Sequence, residues 1–167
     1  MNKRNIILIG MPGAGKSSVG VILAKVLGYE FIDTDLVIQH REKRLLREII
    51  ADEGNEGFLA IENEVNATLE ADKSVIAPGG SAIYGKEAME HFKEIGTIVY
   101  LKLSYEDLAK RLGNLKGRGV VLKEGQTLKD LHDERSKLYE QYAEITVDES
   151  GRDIQGTILA LREQIGM

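Results

Sequence analysis

The sequence has no cysteine, which excludes a disulfide framework and any thiolate metal site and fits a reducing compartment. Its three histidines, His40, His91 and His132, lie far apart without ligand spacing and read as solvated surface residues. No apolar run reaches bilayer-spanning length, and nothing resembles a signal peptide, so a cytoplasmic protein without membrane contact is expected. Basic charge is not in excess either. Lys and Arg number 22 against 27 Asp and Glu, a net charge of −5, which argues against a dedicated nucleic-acid binder. Internal repeats, linkers and low-complexity segments are missing as well. What remains is 167 residues of ordinary globular composition, suited to one domain with one sizeable core.

The most informative stretch present is Gly10-Met11-Pro12-Gly13-Ala14-Gly15-Lys16-Ser17, which fits the phosphate-binding pattern G-x-x-x-x-G-K-[ST]. Its context fits too. Ile6-Ile7-Leu8-Ile9 before it is short, apolar and β-branched, like a buried parallel strand. After it, Val19, Ile22, Leu23 and Val26 recur at helical spacing between Ser17 and Leu27. Glycines let backbone N–H groups turn inward around phosphate oxygens, and the new helix adds the positive end of its dipole. Lys16 can reach the β- and γ-phosphates, and the Ser17 hydroxyl can ligate Mg²⁺. The motif points to a nucleoside triphosphate and leaves the phosphate acceptor open.

Strand and helix patterns alternate along the rest of the chain. Strands are expected at 30–33, 74–77, 97–101 and 144–147. Helices are expected at 36–50, interrupted near Arg44, and at 56–71, 85–93, 104–112, 127–142 and 153–165. This alternation predicts an α/β fold with a mostly parallel sheet and right-handed crossovers. The segment from Gly113 to Gly125 breaks the pattern with four glycines and the bases Lys116, Arg118 and Lys123. It reads either as a lid able to close over a triphosphate or as a flexible solvated loop.

Three further groups carry chemistry. Asp33-Thr34-Asp35 closes the second strand, at the sheet edge where such folds bind ligands. One carboxylate there can hold a Mg²⁺-bound water and the other can accept a hydroxyl proton; a helix N-cap is the structural alternative. Pro78-Gly79-Gly80-Ser81 follows the third strand and either admits a ligand close to the backbone or is an ordinary turn. Arg135 lies on a helix, where an arginine is usually a surface residue.

Together these segments resemble the shikimate kinase family, from Ile6 to about Val147. The residues that carry the resemblance are the glycine loop with Ser18-Val19-Gly20, Phe31-Ile32-Asp33-Thr34-Asp35, Phe58 with Glu62, Gly79-Gly80, Arg118 in the basic segment, and Glu134-Arg135 with Leu138-Tyr139. The resemblance implies one three-layer P-loop kinase domain over 1–167. Its five-stranded parallel sheet would have the order 2-3-1-4-5, with a substrate-binding helical region at about 34–71 and a lid at about 112–125. It implies transfer of the ATP γ-phosphoryl group to the 3-hydroxyl of shikimate, with Mg²⁺, by a monomer. Gly13, Ala14, Gly15, Lys16, Ser17 and Ser18 would surround the phosphates, with Arg111 and Arg118 by the nucleotide. Ser17 and Asp33 would serve the metal. Asp35, Phe58, Gly79, Gly80 and Arg135 would bind the acceptor, and Lys16, Asp35 and Arg118 would be catalytic.

The acceptor half departs from the family pattern. Leu59 stands where an arginine follows the phenylalanine in F-R-x-x-E, and that arginine is half of a carboxylate clamp. Losing one partner of a buried charge pair costs roughly 2–5 kcal/mol. On a helical wheel Leu59 lies about 100° from Phe58, off the main apolar stripe and on a flank expected to border the cleft. Ser81 replaces a third glycine, Gly119 follows Arg118 where proline is expected, and Ser136-Lys137 stand where proline is typical. Arg47 is either a source of replacement charge or a surface arginine. Two other functions therefore stand beside the first: a kinase of another small polyol or hydroxy acid, and a non-catalytic nucleotide-binding sensor.

Overall fold

The computed structural model describes residues 4–112 and 125–167, and among these residues five strands and seven α-helices alternate. β1 (Asn5–Ile9) is the apolar run before the glycine loop, and all five of its residues are buried. α1 (Lys16–Leu27) begins on the loop and stops at Gly28, which takes the left-handed conformation with φ 71°. β2 (Glu30–Asp33) leads directly into α2 (Thr34–Glu42), with Asp33 as N-cap.

The next helices are divided differently from the sequence pattern. α2 ends at Lys43, a left-handed residue, and the Gln39 side chain accepts a hydrogen bond from the Leu46 N–H at 3.1 Å, so the chain restarts as a new helix. That helix, α3 (Leu46–Ala67), runs through a non-helical Gly54 (φ 74°, ψ 175°) into the segment carrying Phe58 and Glu62. It ends four residues earlier than expected, with Thr68 as C-cap, whose hydroxyl donates back to the Glu64 carbonyl at 2.8 Å. Then come β3 (Ser74–Ala77), a 3₁₀ turn (Ala82–Tyr84) that the pattern did not reveal, α4 (Lys86–Ile95) and β4 (Gly96–Lys102). α5 (Tyr105–Leu112), α6 (Leu128–Tyr142), β5 (Ile145–Asp148) and α7 (Ile154–Ile165) complete the described chain.

All strand pairs are parallel, in the order β2-β3-β1-β4-β5, as expected. β1 is central, and its side chains alternate between two faces. Ile7 and Ile9 pack with Met89, Phe92 and Tyr139 under α4 and α6. Ile6 and Leu8 pack with Val19, Leu23 and Leu161 under α1 and α7. These are the three layers. A separate cluster of Ile38, Ile49, Phe58 and Val65 joins α2 to α3. Among the described residues no helix is long and apolar enough to cross a membrane.

The glycine loop, Asp33 and Pro78-Gly79-Gly80 follow the C-terminal ends of β1, β2 and β3, three neighbouring strands. The opposite edge is tied by Asn5, which is buried. Its amide donates to the carbonyls of Ala71 and Ile95, each at 2.9 Å, and its oxygen accepts from the Ser74 N–H at 3.0 Å. Asn5→Ala leaves these backbone groups without partners and is expected to destabilise the fold by about 2 kcal/mol. Urea denaturation should show a lower midpoint with an unchanged slope.

Candidate active site

One cleft of about 390 Å³ opens at this C-terminal edge. Its walls combine the glycine loop (Gly13, Gly15, Lys16, Ser17, Ser18), Asp33 and Asp35 from β2 and α2, Leu46, Phe58 and Glu62 from α3, the Gly79-Gly80-Ser81 turn, and Arg135 from α6. Segments far apart in sequence thus converge on one space.

The loop has the backbone that its glycines predict: Gly13 and Gly15 have φ of 90° and 82°. Ala14 is fully buried beneath it. Gly15 caps α1, so the first N–H groups of that helix face the cleft beside Ser17 and Ser18. Lys16 Nζ donates to the carbonyls of Gly10 at 2.7 Å and Met11 at 2.9 Å. Loss of hydration lowers its pKa to about 8, and the nearby Asp35 carboxylate opposes that shift.

The two aspartates divide their tasks. Asp33 Oδ1 accepts from the Asp35 N–H at 2.9 Å, so the capping role falls to Asp33. Asp35 stands in the first turn of α2. Burial raises its pKa to about 6, the like charge of Asp33 adds to the rise, and Lys16 opposes it. A carboxylate poised there can take a proton from a hydroxyl near neutral pH. The Ser17 hydroxyl and the Asp33 carboxylate are hard oxygen donors of the kind that suits Mg²⁺. Among the described residues no group of three or more His, Cys, Asp or Glu could hold a metal ion by itself.

Arg135 is 1% exposed and lies on the buried stripe Leu131, Arg135, Tyr139 of α6. Its guanidinium stacks over the Tyr84 ring at 5.5 Å, and the Tyr84 hydroxyl donates to Glu134. The two glycines are needed for close approach. A Cβ on Gly80 would stand 2.8 Å from Pro12 Cδ and 2.9 Å from Arg135 Nη1. On Gly79 it would stand 2.8 Å from Asp35 Oδ1 and 3.0 Å from Glu62 Oε2. The Tyr139 hydroxyl fixes the turn by donating to the Gly80 carbonyl at 2.7 Å.

Arg111 lies at the loop's outer side, where its Nη1 donates to the Gly13 carbonyl at 3.3 Å and faces Glu149 at 3.9 Å. Glu149 is buried, which raises its pKa to about 7 against the pull of Arg111. The expected lid at about 112–125 lies, apart from its two ends, outside the described residues, and Arg118 lies outside them too.

Leu59 and Arg47 stand differently from the expectation. Leu59 packs, partly buried, against the cluster of Ile38, Ile49, Phe58 and Val65. The wall of the cleft on this side is made by Leu46 and Phe58 instead. The turn of α3 that brings Phe58 and Glu62 to the cleft leaves Leu59 off its lining. Arg47 is exposed on the first turn of α3 and does not line the cleft. Glu62, Ser81, Tyr84, Tyr139 and Glu149 were not singled out as site residues from the sequence. Glu62 and Tyr139 were named only as carriers of the resemblance, and their i, i+4 spacing from Phe58 and Arg135 is the local signal for their place.

A phosphate-cradling loop, a helix N-terminus, a lysine held on that loop and a carboxylate in the same cleft define an ATP-dependent kinase of the P-loop type. The comparisons with known proteins narrow this class. The family model for shikimate kinase matches residues 12–165. The shikimate kinase of Vibrio cholerae is 36% identical over 97% of both chains. Shikimate kinase 2 of Yersinia enterocolitica is 34% identical over 87% of this chain and 86% of its own. A shikimate kinase from Acinetobacter baumannii, solved in complex with shikimate, superposes with a TM-score of 0.83 at 32% identity, covering 97% of this chain and 93% of its own. The chain belongs to the shikimate kinase family, whose members use ATP with Mg²⁺.

Two predictions follow from the geometry. Asp35 keeps its proton to about pH 6 in the folded protein and releases it at lower pH when unfolded. Its ionised form therefore burdens the fold above pH 6 and not below the unfolded value. Asp35→Asn should raise the melting temperature by roughly a few degrees at pH 8, with the gain shrinking as pH falls through 6, while turnover is lost. Leu59→Ala should destabilise by about 1–2 kcal/mol in thermal melts without changing the acceptor KM, and Arg47→Ala should change neither.

Proposed function

We propose that this chain transfers the γ-phosphoryl group of ATP to the 3-hydroxyl of shikimate. The observation that carries the reading is the placement of Arg135, a buried arginine, in one cleft with Asp35 and Lys16. An anion-binding group and a hydroxyl-binding group then face the phosphate loop across a space for a small hydroxylated acid.

The roles follow from the chemistry. Gly13, Ala14, Gly15, Ser17 and Ser18 would offer backbone N–H groups to the phosphates. Lys16 would leave the carbonyls of Gly10 and Met11 for the γ-phosphate. Ser17 and Asp33 would hold Mg²⁺, which would supply neutralisation of phosphate charge. Asp35 would orient the acceptor hydroxyl and take its proton as the oxygen–phosphorus bond forms and the bond to ADP breaks. Arg135 and the Gly80 backbone would hold the acceptor carboxylate, Gly79 would lie along the ring, and Phe58 would support its apolar face. Arg111 would lie against the nucleotide, and Arg118 would come down with the lid at about 112–125 to stabilise the transferring group. The helical region at about 34–71 would form the acceptor wall of one kinase domain. A monomer in the cytoplasm, with no nucleic-acid partner, completes the reading.

An ADP-release assay with shikimate, gluconate, homoserine and nucleoside monophosphates tests it. Shikimate should give turnover well above the others. Lys16→Ala should lower kcat roughly a thousandfold with the fold intact by circular dichroism. Greater turnover of gluconate or homoserine would reassign the acceptor. ATP binding without turnover of any member would leave a nucleotide sensor.

A further inference from the structure

Glu149 is a buried carboxylate on the nucleotide side of the structure that the phosphoryl-transfer roles leave unused. It directly follows β5 and is 4% exposed. The sheet fixes its backbone. Its N–H donates to the Lys102 carbonyl at 2.9 Å, and its carbonyl accepts from the Arg152 N–H at 3.0 Å. Its side chain reaches the phosphate loop. Oε1 lies 3.8 Å from where a Cβ on Gly15 would stand, and Arg111 Nη1 lies 3.9 Å from the same point. Gly15 caps α1, so this carboxylate stands beside the helix end whose free N–H groups face the cleft.

Two cations face it, and neither gives it a hydrogen bond. Arg111, from α5, donates to the Gly13 carbonyl and stays 3.9 Å from Glu149 Oε2, with 39% of its side chain exposed to water. Lys16, at the start of α1, attracts the carboxylate but donates to the carbonyls of Gly10 and Met11. Asp148, on β5, adds a like charge. Lys102, on β4, is paired with Glu140, and the Arg152 side chain is exposed. Among the described residues Oε2 is buried and accepts no hydrogen bond. Ionisation of this group is therefore unfavourable, and burial raises its pKa to about 7.

A phosphate group that settles on the loop brings further negative charge to the same place. Water screens such a charge poorly where the carboxylate is buried. We propose that Glu149 sets the nucleotide affinity of this chain: its charge opposes phosphates on the loop at 13–18, and nucleotide binding draws a proton onto its carboxylate. The proton comes from solvent and bonds to a carboxylate oxygen, and no other bond changes. The inference rests on binding of a nucleotide to this loop and is independent of the acceptor. It makes the chain hold nucleotide more tightly below neutral pH and release it more readily above.

The test is calorimetric titration of ADP, without divalent ions or acceptor, into the wild type and Glu149→Gln between pH 6 and pH 8. The wild type carries the opposing charge only above the pKa of Glu149, and the variant never carries it. Glu149→Gln should therefore bind ADP about fivefold more tightly than the wild type at pH 8 and about equally at pH 6, the pattern of a pKa raised by about one unit on binding. Repeated in buffers of different ionisation enthalpy at about pH 7.5, the titration should show the wild type taking up roughly half a proton more than the variant. A ratio of affinities that does not change with pH overturns the inference, because a purely structural role would weaken or strengthen binding alike at both ends. Weaker binding by the variant at pH 8 also overturns it and makes Glu149 an anchor for Arg111. Should Glu149→Gln fail to fold, Glu149→Thr removes the same charge and is judged by the same pH pattern. A wild type that binds no ADP at any pH overturns the nucleotide reading itself, an outcome distinct from an unchanged ratio.

Discussion

The backbone of Gly80 is the junction on which the cleft depends. Its carbonyl accepts the Tyr139 hydroxyl at 2.7 Å, and that hydroxyl also lies 3.9 Å from Met11 Sδ in the phosphate loop. Its Cα face is closed by Pro12 and by the guanidinium of Arg135. Three segments far apart in sequence, the phosphate loop, the turn after β3 and α6, are thereby fixed against one peptide. Phosphoryl transfer is governed largely by the alignment of donor and acceptor, and a displacement of about 1 Å can cost orders of magnitude in rate. A junction without a side chain sets that distance more tightly than contacts between long, flexible ones. Burial also raises the pKa of Tyr139 far above its ordinary value, so it remains a neutral donor across any physiological pH.

Around this junction the chain gathers charge that the fold alone would not choose. Asp33, Asp35 and Glu62 face Lys16 and Arg135 in one partly desolvated space. The strain shows in the proton affinities: Asp35 and Glu62 are pushed up to about 6 and about 7, and Lys16 down to about 8. Groups moved toward neutrality from both sides can exchange protons at little free-energy difference, as acid–base work requires. The core supports this arrangement. β1 is buried on both faces by two apolar clusters, so the edge that carries the charges is rigid although the charges themselves oppose folding.

The elements were legible because each is a local pattern. The run of isoleucines at 6–9, the glycine loop and the stripes on α1 and α6 are periodic within a few residues, and the strand order came through the family resemblance. The division of α2 from α3 was legible only in part. Arg44 marked the interruption, but the bond from the Leu46 N–H to the Gln39 side chain and the helix's passage through Gly54 are not composition signals. Arg135 reads as a surface residue on its helix until Leu131 and Tyr139 are seen on the same buried face. Ser81 and Glu62 are 19 residues apart, and Arg111 and Glu149 are 38 apart. Their pairing is a product of tertiary packing, which no local periodicity encodes. The wheel correctly placed Leu59 off the Phe58 stripe. It could not tell what that flank meets, and Leu59 packs against the cluster of Ile38, Ile49, Phe58 and Val65 and is not among the residues lining the cleft.

The two halves of the site were legible to different degrees for the same reason that they can vary differently. The core of the nucleotide half is one continuous segment rich in backbone contacts, so its identity survives in a short motif. The acceptor half is assembled from side chains on α2, α3, the turn after β3 and α6, and one position can change while the others stay. At position 59 the side chain packs, partly buried, against an apolar cluster, and among the described residues the cations that line the cleft are Lys16 and Arg135. On the shikimate reading, Lys16 would serve the phosphates and the acceptor carboxylate would fall to Arg135. That guanidinium is held over Tyr84 and against Gly80 before any ligand arrives, and it is almost completely removed from water. Pre-ordering removes most of the rotamer entropy that binding would otherwise consume, and low local polarity strengthens the attraction. On that reading, the burial and fixed placement of this one arginine would carry the carboxylate contact that the family pattern shares between two.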